Sequence, residues 1–88
     1  MSPARLQPGD AEFLAKLGLL IKLHRVRADL SQDQLATRAG MSRAFLGALE
    51  RGAHSVQILL VRHLATALDV PLPELLPGHS GAEGLISR

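Results

Sequence analysis

Two serines eleven residues apart, Ser31 and Ser42, with Gly40 between them, constrain this chain more than any other feature. They lie in the segment LSQDQLATRAGMSRAFLGALERG, residues 30–52. A serine hydroxyl accepts a free backbone N–H at the start of a helix, so each serine marks a helix N-terminus. Gln34, three residues after Ser31, can return a bond to the Ser31 backbone and complete a capping box. Gly40 suits the left-handed conformation that closes a helix. The segment therefore predicts two short helices, about 32–39 and 43–51, joined by a tight turn and stopped by Gly52. Leu35, Ala36 and Ala39 line the inner side of the first, and Leu46 and Leu49 that of the second.

Proline is absent from Gly9 to Val70 and present on either side, which leaves a continuous helix-permissive middle. Asp10 is a candidate N-cap for a first helix running to about Ala28. Phe13, Leu14, Leu17, Ile21 and His24 repeat at helical spacing on its inner face, and Asp29 and Leu30 break the pattern. Residues 53–56 read as a loop. A fourth helix, about 57–68, turns Ile58, Val61, Leu64, Ala65 and Leu68 inward and is ended by Pro71. Pro73 is well placed in the first turn of a short fifth helix, 73–76. No valine-rich alternating run is present, so strands are not expected. The expectation is an all-α domain over residues 10–78, between a flexible arm, 1–9, and a flexible Gly- and Ser-containing tail, 79–88.

Composition narrows what such a domain can do. Phe13 and Phe45 are the only aromatic residues among 88, so the core must be aliphatic. There is no cysteine, which excludes disulfides and thiolate metal sites. His24, His54, His63 and His79 show no metal-ligand spacing. Neither a Gly-x-Ser-x-Gly turn nor a phosphate-binding glycine loop is present, so no cofactor, metal or enzymatic activity is expected. The longest apolar run, Leu17 to Ile21, is far short of the ~20 residues of a membrane span. No secretory signal precedes it, and a cytoplasmic location is expected. The formal charge of +2 is unevenly placed: residues 22–51 carry six basic and three acidic residues, whereas 52–88 hold two and three. A positive potential on the two short helices suits phosphate binding, although a solvated mixed-charge surface has the same composition.

The chain resembles the Xre/Cro phage-repressor family of helix-turn-helix domains. The resemblance rests on Leu17, Gly18, Ile21 and Arg25, then Leu30, Ser31, Gln32, Leu35, Ala36 and Gly40. It continues through Ser42, Phe45, Leu46, Leu49, Glu50, Arg51 and Gly52, and ends in Leu64, Ala65, Leu68, Val70, Leu72, Glu74, Leu75 and Leu76, without a gap. It implies a five-helix bundle of the lambda-repressor-like type, with the helix-turn-helix at 31–51. The second helix would cross the DNA backbone and the third would lie in the major groove. It further implies a sequence-specific transcriptional regulator, usually a repressor, that binds double-stranded DNA as a homodimer on a two-fold operator.

The resemblance also assigns roles by position. Arg25 and Glu50 form an internal ion pair. Gln32, at the start of the second helix, donates to a phosphate. Ser42 both caps its helix and reaches the groove edge. Arg43 stands in the first turn of the recognition helix, where a guanidinium can take guanine O6 and N7 or, equally, a phosphate. Ala44, Gly47 and Ala48 share the outward face of that helix, where small side chains admit close approach but give no hydrogen-bonded readout. Phe45 is either core or close to the DNA backbone. Arg51, His54 and Ser55 follow the helix as phosphate contacts, with Arg38 a weaker one.

Two apolar sets depart from the family's usual polar positions: Leu19, Leu23 and Val26 on the first helix, and Leu59 and Leu60 on the fourth. They suggest a covered surface for a protein partner, or packing by the arm or tail. The rival reading is accordingly an interaction adaptor or antitoxin-like module on the same fold.

Overall fold

The computed structural model describes residues 5–78. Helix α1 spans Asp10–Arg27, α2 Gln32–Ala39, α3 Arg43–Glu50 and α4 Ile58–Leu68; a 3-10 turn follows at Leu72–Leu75. No strand occurs among the described residues. The expected fifth helix is thus a single 3-10 turn, because four residues between Pro71 and Leu76 are too few for an α-helical repeat. The expected tail and the first four residues of the expected arm lie outside the described residues, and Arg5 to Pro8 take no helical structure.

Local chemistry explains the starts. The Ser31 hydroxyl accepts from the Gln34 N–H at 3.0 Å, and the Gln34 side chain accepts from the Ser31 N–H at 2.8 Å, a complete capping box. The Ser42 hydroxyl accepts from the Phe45 N–H at 3.0 Å. Asp10 is not the N-cap of α1. It is the first helical residue, its carboxylate accepts from the Gln7 N–H, and Gly9 takes the capping position.

The four α-helices also stop in one way, with a left-handed residue and a pair of reversed backbone bonds. At the end of α1 the Leu30 N–H reaches the Arg25 carbonyl and the Asp29 N–H that of Val26. The same pairing recurs after α2, α3 and α4. The left-handed residues are Asp29, Gly40, Gly52 and Asp69. Helix α4 therefore ends at Asp69, before Pro71 is reached. An aspartate tolerates the left-handed region better than most side chains, which is why no glycine marks these two ends.

The core is aliphatic throughout. Ile21, Leu35, Leu46, Leu49, Leu64 and Leu75 are fully buried, with Leu17, Ala36, Ala39, Val61, Ala65 and Leu68 around them. Leu75 in the 3-10 turn closes the end between α1 and α4. Two residues expected inside are not. Phe13 is exposed on the flank of α1, facing Pro77 and Gly78. Ile58 is exposed because α4 begins only there, and its first turn projects beyond the residues that cover Val61 and Leu64.

Helices α1 and α3 meet at backbone distance. A Cβ on Gly18 would lie 2.2 Å from the Leu49 carbonyl oxygen and 2.7 Å from that of Glu50. This contact fixes the end of α3 against the middle of α1 and leaves the opposite flank of α3 free.

Candidate nucleic-acid interface

The site is built around a polar knot where three helices converge. The Arg25 guanidinium donates to both carboxylate oxygens of Glu50, at 2.7 and 3.1 Å, and to the Leu30 carbonyl at 2.9 Å. The Gln32 amide donates to the same carboxylate at 3.0 Å. The Glu50 side chain is 4% exposed and that of Arg25 13%, so the pair is largely out of water. The Arg25–Glu50 pair thus ties α1, the loop after it, the first residue of α2 and the last of α3. A fork-shaped guanidinium is suited to this bidentate geometry, and an ammonium is not.

Above the knot lies a shallow open depression lined by Gln32, Arg43, Ala44, Gly47 and Arg51. All five were singled out in the sequence. The N-terminus of α2 and the outer face of α3 form its two sides. Three of its lining residues carry N–H donors on their side chains, Gln32, Arg43 and Arg51, and none is acidic. Such a concavity suits a phosphate oxygen placed against the partial positive charge of a helix N-terminus.

Gly47 has a specific part in this arrangement. Although it points outward, it is buried, because the side chains of Arg51 and Gln32 lie over it. A Cβ at this position would stand 3.3 Å from an Arg51 guanidinium nitrogen and 3.8 Å from the Gln32 amide. The missing side chain lets Arg51 fold back along α3 toward Gln32. The sequence pointed only to close approach at this position, not to a seat for Arg51.

Ala44 and Arg43 are exposed on the outer face. Ala48 is not: at 7% exposure it is buried, contrary to the outward placement expected of it. The chain reverses at Gly52, and the Ala53 N–H donates to the Ala48 carbonyl at 2.9 Å, so this flank of α3 is folded over. An eight-residue helix enclosed in this way has a narrow outer face. Phe45 is half-buried, packs on the core and meets the His54 ring at 5.8 Å between centroids. His54 and Ser55 are exposed beyond it, and Ser55 borders a second hollow with Phe45, Val56, Gln57 and Leu60. Arg38 lies elsewhere, beside Arg62 and His63 near the end of α2.

One participant was missed in the sequence. Asp33 on α2 lies 3.9 Å from the Arg43 guanidinium, with both side chains largely exposed. At this distance and exposure the pair contributes little. The pairing joins different helices, so no local spacing reveals it.

The helix-turn-helix domain family matches over residues 16–77. The chain is 40% identical over 62 residues to the HTH-type transcriptional regulator SlrR of Bacillus subtilis, covering 67% of this chain and 40% of SlrR. The crystal structure of the restriction-modification controller protein C.AhdI from Aeromonas hydrophila superposes with a TM-score of 0.70 at 38% identity, covering 72% of this chain and 96% of that one. The hypothetical transcription factor NHTF from Neisseria superposes with a TM-score of 0.74 at 30% identity, over 100% of this chain and 98% of its own. The chain belongs to the helix-turn-helix domain family, a family of DNA-binding transcription regulators and not of enzymes.

Proposed function

We propose that the protein represses transcription by binding, as a homodimer, a two-fold operator in double-stranded DNA. The observation that carries this reading is the concavity on the outer face of α3 lined by Gln32, Arg43, Ala44, Gly47 and Arg51, three of which carry side-chain N–H donors. Helix α3 enters the major groove, Arg43 reads a guanine edge, and Gln32 and Arg51 grip the adjacent phosphate. With Ala44 and Gly47 beside Arg43, hydrogen-bonded readout is sparse, and DNA shape supplies part of the specificity. Ser42 borders the groove while capping α3, and His54 and Ser55 add backbone contacts.

The dimer contact is assigned to the first turn of α4, where Ile58 and Leu59 are each 57% exposed and Leu60 is half-buried. That turn follows the α3–α4 loop directly, so pairing there would set two α3 helices on the same side of the assembly. Half-sites about 34 Å apart would then be reached in successive major grooves. Controller proteins of restriction-modification systems are among the similar structures, which supports a regulatory role for a domain of this kind. The cytoplasm is the matching location. No helix among the described residues is long and apolar enough to cross a membrane.

Two substitutions separate the roles. Arg43→Ala should cost about 1–3 kcal/mol at one base pair and relax preference there, whereas Arg51→Ala should weaken all sequences alike and lower the salt dependence by about one phosphate. Titrations of wild type and both variants against matched duplexes at two salt concentrations measure this. Equal losses on every duplex for Arg43→Ala would remove it as a reader.

A further inference from the structure

Helix α1 has a second apolar face that the bundle does not use. Leu19, Leu23 and Val26 follow one another at i, i+4 and i+7 and are 54%, 41% and 59% exposed. At about 100° per residue they lie opposite the side that buries Leu17, Gly18 and Ile21. Helix α3 packs on that buried side, through Gly18, so the leucine stripe points away from the proposed DNA-binding flank. The stripe is continued and flanked by exposed cations, Lys16, Lys22 and Arg27. Lys16 is paired with Glu12 at 3.0 Å, while Lys22 and Arg27 have no ion-pair partner among the described residues. The nearest further acid, Asp29, sits past the end of the helix, in the turn that caps it.

We infer that this face docks an acidic, leucine-striped helix of a different protein, and does so while the recognition helix is on DNA. Charge selects the occupant. A second copy of α1 crossing antiparallel, with Leu19 on Leu23, would set Lys22 beside its own symmetry mate. A parallel pairing would set Lys22 against the Arg27 of the other copy. Like charges thus meet in either orientation, which disfavours self-pairing. Glutamates flanking an apolar stripe would meet Lys22 and Arg27 favourably on both edges. Three exposed apolar side chains fall well below the roughly 1,200–2,000 Å² of total buried surface typical of stable complexes, so the association is transient. Such a surface would let the domain contact other machinery from the operator.

The test uses the full chain labelled with ¹⁵N, free and bound to a duplex. It is titrated with two synthetic helical peptides that share a leucine stripe, one flanked by glutamates and one by lysines. The glutamate peptide should shift the amides of residues 19–27 and bind about tenfold or more tighter than the lysine peptide, with or without DNA. Lys22→Glu with Arg27→Glu should reverse the preference, at positions with no place in the core, and Leu23→Gln should abolish binding of both peptides without changing DNA affinity. Equal binding of the two peptides, or shifts confined to other helices, overturns the inference. So does a fall in mass by light scattering for Leu23→Gln, which would make the face a self-contact. Binding to vesicles of phosphatidylcholine and phosphatidylglycerol that Leu23→Gln abolishes, without peptide preference, would assign the face to a lipid surface and also overturn it.

Discussion

Gly47 shows how a single residue trades stability against binding. A glycine inside a helix is about 1 kcal/mol less favourable than alanine. Here its absent side chain is the space over which Arg51 reaches Gln32. Gly47→Ala should therefore raise the melting temperature and, if Arg51 holds a phosphate as proposed, weaken DNA binding modestly on every sequence, because the added methyl shifts the Arg51 guanidinium. Thermal unfolding and a filter-binding titration on one preparation measure both effects. A variant that is more stable and binds as well as wild type would show that Arg51 does not need this seat. Arg43 was legible in the sequence as an exposed cation in the first turn of α3. Its proximity to Asp33 and the burial of Ala48 were not. Both depend on where neighbouring segments pass, and helical spacing carries no record of that.

At the scale of elements, the helices of the motif were the most legible part of the chain because their ends are written in side chains. Ser31, Gln34, Gly40, Ser42 and Gly52 each perform a capping task that follows from residue type. The ends of α1 and α4 were less legible, since Asp29 and Asp69 take the left-handed position that glycine usually marks. Phe13 was misplaced because it lies at the edge of the inner face, one turn before Leu17 in the first turn of α1, where it is left exposed. The packing of α1 on α3 supplies a sharper test than any boundary. Gly18→Ala drives a methyl group into the carbonyls of Leu49 and Glu50, backbone that cannot yield without moving α3. The expected cost is about 1–3 kcal/mol or more, read as a loss of thermal stability together with DNA binding. Unchanged stability would mean that the two helices are not in backbone contact.

Across the whole molecule, the Arg25–Glu50–Gln32 knot joins both helices of the motif to α1. It aligns the N-terminus of α2 with the outer face of α3, and a nearly buried carboxylate holds both. Glu50→Ala leaves the Arg25 charge without its partner in a site largely closed to water, at an expected cost of roughly 3–5 kcal/mol in urea unfolding. Replacing both partners by apolar residues should restore much of that stability, yet leave DNA binding impaired because Gln32 has lost its anchor. Recovery of both together would mean that the knot serves stability alone. The central claim is that this frame presents α3 to a specific two-fold DNA sequence. Selection of bound duplexes from a random pool, at a stated salt concentration, tests it most directly. The expected result is enrichment of an inverted repeat with half-site centres about one helical turn, 10–10.5 base pairs, apart and a guanine in each half-site that Arg43→Ala no longer selects. A pool that stays random, while the protein binds all duplexes with the same salt-dependent affinity, would contradict it.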